Sequence, residues 1–462
     1  NFRFTFQVLR QFIRYYYYIR VAWRAKYLEV WMSLIGIINT DEEIEHLIKT
    51  QFDESGDENY SLHFAKTSAM VKEVLNFNLP EIVIINMTDP ELNFEEVFSG
   101  IKEDLWLHTF GIIALHDRDI IGEMEATQRL KDFNVLAVID YTKIESYLKK
   151  YVKIIDANQQ IIFQFDLADK LSGIISGSFT LDNDLIAVPV YTSLSTATLF
   201  QHGYINTDRK MVLHLVMQEL LINAIEHGNC KISYDEKSAF LEKGGNIADL
   251  VAEKCRNPEI ADKKVHVEWE VRQNSSRFSI RDDGDGFDVR NYKKAFDANP
   301  ESLHGRGITL AKSLVTKLSY NKKGNVVSFV VEHDKHVTRE TPIGFQSEDV
   351  IYPVPGDVIV REGESSDFLY YISSGTYTAS LEGMPVGTID PGDIFMGEMA
   401  FLLNNKRTVT VTANSRGKLV KVSRVNFVKI IREYPHYGIF LSKLIARKLA
   451  RTNREAAKNR VI

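Results

Sequence analysis

Glu219 and Asn223 stand four residues apart in QELLINAIEHGN (218–229), so on a helix they share one face. Such a face can present a carboxylate to a nucleophile and an amide oxygen to a metal ion. Further along, RDDGDGFD (281–288) follows the alternating stretch SRFSI. There Asp282, Gly284 and Gly286 make a turn whose glycines allow close backbone approach to a ligand, and a buried acid can accept a hydrogen bond from an exocyclic amine. HGRGITLAKSLV (304–315) then sets Gly305, Arg306 and Gly307 before a helix, whose N-terminus offers free N–H groups to phosphate. Singly, each signal is weak: DxGxG occurs in many turns, and a polar pair in an amphipathic helix is usually a solvated face. All three in this order point to a nucleotide site.

A second constellation lies in PGDIFMGEMAFLLNNKRTVTV (391–411). Gly397 and Glu398 begin a turn leading into a short helix, and Arg407 follows nine residues after Glu398, with Thr408 next. A cyclic phosphate needs a guanidinium and backbone N–H groups at a helix start, and a ribose 2′-hydroxyl needs a carboxylate acceptor. A lone Glu–Arg pair is normally a surface salt bridge. The glycine punctuation at Gly356, Gly363, Gly375 and Gly392 favours the ligand reading.

The first constellation resembles the gyrase–chaperone–histidine-kinase (GHKL) ATPases, and within them the anti-sigma-factor serine kinases. NAIEHGN, IRDDGDGFD, the short GRGI box and YNKKGNVVSFV (320–330) carry the resemblance, which covers 176–335. It implies an α/β sandwich binding Mg·ATP: Asn223 holding Mg²⁺, Asp282 reading the adenine amine, and Gly284, Gly286, Gly305 and Gly307 shaping the pocket. Arg306 would touch the phosphates, and Glu219 would be the general base for transfer to a Ser or Thr of a small antagonist or sigma-factor-type protein. Phosphoryl transfer needs positioning and charge neutralisation more than covalent chemistry. No helix pair with a phosphoacceptor histidine is evident just before this segment, which disfavours a sensor histidine kinase; His227 reads as structural. Residues 230–262 form an insertion that is long for a minimal kinase, expected as helices over the site or a partner surface.

The second constellation resembles the phosphate-binding cassette of cyclic-nucleotide-binding domains, such as catabolite activator and the regulatory subunit of protein kinase A. PGDVIVREGESSDFLYYISSGTYTAS (355–380) matches their early barrel strands. By position Glu398 would bind the ribose hydroxyl, Arg407 the phosphate, and Thr408 a phosphate oxygen or base edge. Lys406 stands where the cassette commonly has proline. The ligand is cAMP or cGMP.

These sites need elements to hold them. The chain has 462 residues, a length for about three domains. Residues 33–155 alternate apolar strands (SLIGIIN, EIVIINM, FGIIAL, NVLAVID) with helices such as DEEIEHLIKTQF, which suggests a parallel, doubly wound sheet. This segment resembles a response-regulator receiver, with Asp41-Glu42 in the place of the acidic pair. Asn86 stands where the phosphoacceptor aspartate is expected, His116 at the Thr/Ser position and Asp140 at the Lys position. An amide cannot form an acyl phosphate, so a pseudo-receiver used for docking is expected. Residues 156–175 are a linker, and 345–462 open with short glycine-punctuated strands, a jelly-roll barrel, then close in a helix over 425–452. The expected fold is thus multidomain α/β and α+β: doubly wound domain, GHKL α/β sandwich, and C-terminal β jelly-roll barrel with helices.

Residues 1–32 carry six Lys/Arg against one acid, with a Tyr15–Tyr18 run, Trp23 and Trp31. Such a helix either lies on an anionic membrane surface or packs in a dimer seam or on the next domain. A net charge of −6 argues against a dedicated nucleic-acid binder. Two cysteines, Cys230 and Cys255, make neither a disulfide framework nor a zinc site, and a reducing, cytoplasmic setting is expected. No apolar run reaches membrane-spanning length. The first residue is Asn1 rather than Met, as in a processed product or a fragment of a larger membrane-associated signalling protein. A homodimer is expected. Two functions fit: a cyclic-nucleotide-gated serine/threonine kinase, or a non-catalytic ATP-binding sequestering or scaffold protein.

Overall fold

A computed structural model describes residues 33–53, 60–104, 110–158, 174–201, 204–272, 274–289, 315–334, 340–403 and 405–458. The basic aromatic segment 1–32, most of the linker 156–175, and the second glycine box with Gly305, Arg306 and Gly307 lie outside the described residues.

The first unit contains β1 (Ser33–Ile38), α1 (Glu42–Asp53), β2 (Tyr60–Ala65), α2 (Ser68–Glu73), β3 (Ile82–Asn86), α3 (Phe94–Glu103), β4 (Gly111–His116), α4 (Glu123–Arg129), β5 (Val135–Asp140) and α5 (Ile144–Ala157). All strand pairs are parallel, in the order β2-β1-β3-β4-β5. The central strands β3 and β4 are buried throughout, as near-continuous apolar runs in a two-sided parallel sheet must be. β2 was not evident in the sequence. It is a half-buried edge strand, and YSLHFA mixes polar and apolar residues because only part of it faces a core.

The second unit opens with β6 (Ile174–Leu181), α6 (Val188–Gln201) and α7 (Thr207–Asn223). Helices α8 (Tyr234–Glu242), α9 (Ile247–Lys254) and α10 (Pro258–Ala261) follow, then β7 (Val265–Arg272), β8 (Ser275–Asp282), β9 (Lys317–Tyr320) and β10 (Val326–Glu332). Its antiparallel sheet runs β6-β7-β8-β10-β9. β7 and β8 alternate buried and open residues, and their inward side chains meet α6 and α7 in one core with Leu213, Met217, Trp269 and Phe278.

Helix α6 belongs to both units. Its sequence VPVYTSLSTATLFQ is apolar or small on every side, and a helix of that kind is buried all round. Val190, Leu194 and Ala197 complete the core of the first sheet beside Ile139, Leu148 and Val152. Val188 and Leu199 enter the core of the second. The boundary drawn between 155 and 176 therefore separates segments that share a helix.

The third unit packs two antiparallel sheets, β11-β18-β13-β16 and β12-β17-β14-β15, built from β11 (Asp349–Ile351), β12 (Val358–Val360), β13 (Phe368–Ser374), β14 (Tyr377–Leu381), β15 (Met384–Ile389), β16 (Phe395–Met396), β17 (Thr410–Ala413) and β18 (Lys418–Ser423). Helix α11 (Glu398–Leu403) lies between β16 and β17. The helix expected over 425–452 is two helices, α12 (Arg424–Glu433) and α13 (Pro435–Lys458). Pro435 has no N–H to continue α12, and it pushes Tyr434 out of helical geometry, to φ −122°, ψ 73°. No helix among the described residues is long and apolar enough to cross a membrane.

Candidate functional site

Helix α7 starts at the Asn206 cap and ends in a π-helical turn, Ala224–Asn229. Glu219 and Asn223 share its face as expected: Asn223 Nδ2 donates to Glu219 Oε1 at 3.0 Å. Asn223 Oδ1 takes no hydrogen bond from the described residues and is the atom suited to a cation. The π turn carries the helix end onto the β8 turn. A Cβ added to Gly228 would lie 2.5 Å from Asp282 Cγ, and one added to Gly284 would lie 2.2 Å from the Gly228 carbonyl oxygen. Gly286, at φ +80°, faces the Lys323 carbonyl oxygen at 2.0 Å in the same sense. These glycines let three chain segments touch. Gly284 and Gly286 lie against the protein's own backbone, and Gly228 against the Asp282 side chain.

The two aspartates of the turn have opposite surroundings. Asp282 is 8% exposed and accepts the Gly284 N–H at 2.9 Å. Burial raises its pKa above the usual carboxylate value, and the Gly284 hydrogen bond and nearby Lys323 only partly oppose this. Asp283 points the other way. It takes Arg281 Nη1 at 2.7 Å, the Lys264 N–H at 3.1 Å and His266 Nε2 at 3.1 Å. Desolvation pulls its pKa up, but these donors together bring it below the ordinary value. Asp283 is tied into the sheet, and Asp282 remains the acid suited to a hydrogen-bonding ligand.

Asparagines not singled out in the sequence hold this turn. Asn229 Oδ1 accepts the Asp283 N–H at 2.8 Å, and its Nδ2 donates to Asn183 Oδ1 at 2.8 Å. On the other side Asn325 Nδ2 donates to the Asp282 carbonyl oxygen at 3.0 Å, and the Asp282 N–H to the Asn325 carbonyl oxygen at 3.1 Å. Lys323 Nζ donates to the Gly284 carbonyl oxygen at 3.0 Å. Asn229 is the last letter of the NAIEHGN box, and Lys323 and Asn325 lie in YNKKGNVVSFV, but Asn183 carries no motif signal.

The insertion forms α8–α10 and docks on the π turn. Lys237 Nζ meets the buried Glu226 carboxylate at 2.6 Å. His227 Nδ1 contacts the Ile232 carbonyl oxygen at 2.7 Å, and its ring lies 4.3 Å from that of Tyr234. His227 is thus occupied in holding the insertion's first residues.

In the third unit Gly397 (φ +79°) precedes α11, and Glu398 is buried at the helix start. Arg407 is 5% exposed. It donates Nη1 to the Gly397 carbonyl oxygen at 2.9 Å and Nη2 to that of Phe368. Among the described residues its Nε is buried with no hydrogen-bond partner. Burial lowers the pKa of the guanidinium, while Tyr370, Asp367 and Glu398 nearby oppose that shift. A buried guanidinium with an orphaned donor, held by the Gly397 and Phe368 carbonyl oxygens and against the Tyr370 ring, fits a phosphate anion. Thr408 is exposed beside it.

Residues 184–331 match the family model of the histidine kinase-like ATPase domain, and residues 353–434 that of the cyclic nucleotide-binding domain. The chain carries both domains. The first spans α6 through most of β10, and the second spans the barrel with Gly397, Glu398, Arg407 and Thr408. Over 77 residues the chain is 36% identical to the cAMP-dependent protein kinase type II regulatory subunit of Drosophila melanogaster, covering 17% of this chain and 20% of that protein. Over 81 residues it is 33% identical to the potassium/sodium hyperpolarization-activated cyclic nucleotide-gated channel 2 of Mus musculus, 18% of this chain and 9% of that one. The chain thus spans a fifth or less of these curated relatives. The catabolite activator protein of Thermus thermophilus aligns over 25% of this chain and 55% of its own, with 24% identity and a TM-score of 0.22.

At the N-terminal domain, Asn86 ends β3 fully buried. It donates Nδ2 to Asn39 Oδ1 at 2.8 Å and accepts the Tyr141 hydroxyl at 2.5 Å. Tyr141 in turn accepts from Thr88 Oγ1 at 2.9 Å. His116 Nδ1 contacts the Ile121 carbonyl oxygen at 2.8 Å, and Asp140 caps Thr142. Asn39, Asn86, Thr88 and Tyr141 bond one another, while His116 and Asp140 are engaged by their own adjoining segments.

Proposed function

We propose that this protein is a cyclic-nucleotide-regulated, ATP-dependent serine/threonine protein kinase of the partner-switching type. The observation that carries the reading is the seating of Gly228, at the end of the Glu219/Asn223 helix, directly on Asp282. It sets a buried acid for an adenine amine beside a helix face suited to a metal and a nucleophile. Mg²⁺, when bound, neutralises phosphate charge. Asn223 would hold it through Oδ1, Asp282 would accept the adenine amine, and Glu219 would take the proton of the substrate hydroxyl. Gly305, Arg306 and Gly307 are assigned to the phosphates from the sequence alone. Arg407 and Glu398 would bind the phosphate and ribose of cAMP or cGMP, with Thr408 at a phosphate oxygen or base edge. The parallel β2-β1-β3-β4-β5 order supports a receiver-like N-terminal domain, and neutral, engaged Asn86 supports its use for docking.

The test incubates the chain with Mg·ATP and small antagonist or sigma-factor-type proteins, with and without cAMP or cGMP, and maps phosphate by mass spectrometry. Phosphoserine or phosphothreonine on one partner, changed by one cyclic nucleotide, supports the kinase. The docked insertion, clamped by Lys237 on Glu226, favours a second reading: an ATP-binding sequestering or scaffold protein. Stoichiometric, ATP-dependent partner binding without transfer would establish that instead.

A further inference from the structure

Cys230 and Cys255 are the two cysteines of the chain, and the fold brings them together. Cys230 ends the π turn and donates its backbone N–H to the Ile225 carbonyl oxygen at 2.9 Å. Cys255 caps α9 within the insertion. Asn183 touches both ends. Its carbonyl oxygen meets Cys255 Sγ at 3.9 Å, and its Oδ1 accepts Asn229, the residue before Cys230, at 2.8 Å. Both side chains pack in the core cluster of the ATPase domain. Burial first, then the neighbouring Cys255 thiol, pushes the Cys230 thiol up to about 12. Cys230 is fully buried, whereas Cys255 is partly open.

We propose that Cys230 and Cys255 form a reversible disulfide on exposure to a hydroperoxide, tying the insertion to the segment that holds the nucleotide turn. The more accessible Cys255 thiolate attacks one peroxide oxygen. The O–O bond breaks, the second oxygen leaves as water after protonation, and Cys255 becomes a sulfenic acid. Cys230 sulfur then attacks Cys255 sulfur, the S–O bond breaks, and water leaves with the Cys230 proton. Two thiols and one hydrogen peroxide give one disulfide and two waters. The new bond adjoins Asn229, which holds the Asp283 N–H, so closure acts on the geometry of the Asp282 turn. That consequence for ATP rests on the function proposed above; the disulfide itself does not.

The full chain, reduced and freed of reductant, is treated with stoichiometric hydrogen peroxide. The expected result is loss of both thiols, an intact mass lower by two hydrogens, a Cys230–Cys255 linked peptide, and full reversal by dithiothreitol. In C230S the sulfenic acid is trapped by dimedone on Cys255; in C255S the rapid reaction is lost. Thiols that stay free, stop at sulfinic acid, or link only between chains overturn the proposal, and the wild-type thiol count decides even if a variant fails to fold. A fluorescent ATP analogue then titrates both forms, with affinity expected to change at least about threefold. An intramolecular disulfide with unchanged affinity overturns the coupling to ATP. A reduced chain that binds no ATP overturns the ATP-site reading and the coupling with it, while the thiol count still decides the disulfide.

Discussion

Tyr437 Oη donates to Asp104 Oδ1 at 2.5 Å across 333 residues of sequence, in a buried contact. Tyr437 is on α13 of the cyclic nucleotide-binding unit, and Asp104 ends α3 of the doubly wound domain. One turn and a half further along α13, Lys443 Nζ donates to the carbonyl oxygens of Asn78 and Leu79, at 2.6 and 3.1 Å. The Leu79 side chain packs in the core that holds Phe345, Phe427 and Tyr437. The C-terminal helix is therefore docked on the N-terminal domain.

Tyr437→Phe removes the Asp104 bond and leaves a buried carboxylate with one partner fewer. The expected cost is about 1–2 kcal/mol, read as a lower denaturation midpoint and faster proteolysis between the units. If the docking carries regulation, the effect of cyclic nucleotide on ATP affinity also weakens. An unchanged midpoint would show that the contact contributes nothing in solution.

Arg407→Ala removes the charged donor of the cassette, and cyclic-nucleotide affinity should fall by about 10- to 100-fold, from about 1.5–3 kcal/mol per charged hydrogen bond. Gly397→Ala should fail differently. A Cβ there meets Arg407 Nη1 at 1.9 Å and the backbone sits at φ +79°, so both affinity and barrel stability fall. Calorimetry and thermal melting of the two variants separate these outcomes.

Asp282 and Asp283 should separate function from stability. Asp282→Asn is expected to lower ATP affinity at least about tenfold. Because the folded-state pKa of Asp282 is raised, the folded protein binds more protons there than the unfolded chain, and stability falls as pH rises through that pKa. Removing the charge should therefore raise the melting temperature at neutral pH. Asp283→Asn has the reverse sign. Its lowered pKa stabilises the fold above the unfolded value and that contribution is lost as pH falls, so the variant should melt earlier at neutral pH.

Glu219→Ala should leave ATP binding within a few-fold and reduce phosphoryl transfer by about 10²–10⁴. Single-turnover transfer to the unphosphorylated partner checks this. Transfer at the wild-type rate would remove Glu219 from the role of base.

Lys210 gives a pH signature at the contact between the first two units. Its ammonium donates to the Phe133 carbonyl oxygen at 2.7 Å, and burial brings its pKa down to about 8, with Asp132 opposing. Between that value and the ordinary 10.5 the unfolded chain binds more protons. Stability should then rise with pH through this window, by about 3 kcal/mol for a shift of this size. Lys210→Met should flatten the rise in melts run across that range.

The order of the motifs, the residue types at the two sites and the presence of ATPase and cyclic nucleotide-binding domains were legible in the sequence, because each depends on short spacings. Glu219 and Asn223 meet through one helical turn, and Gly397, Glu398 and Arg407 close through one loop, helix and strand. β2 was not legible, since a half-buried edge strand has no clean alternation. Neither was the break at Tyr434, although Pro435 marked it.

Only the tertiary structure decided what depends on long-range contact. Asp282 and Asp283 are identical residue types side by side; the face each takes, and so its pKa, is set by β7, Lys264 and Asn325 packing around β8. That Gly228 comes to rest on Gly284 follows from the π turn packing onto β8. The apolar helix α6 could have filled either core, and it fills both. Cys230 and Cys255 became a pair only when the insertion folded back over the π turn. Sequence spacing specifies neighbours within an element; which elements touch is set by burial of the whole surface, which no short window contains.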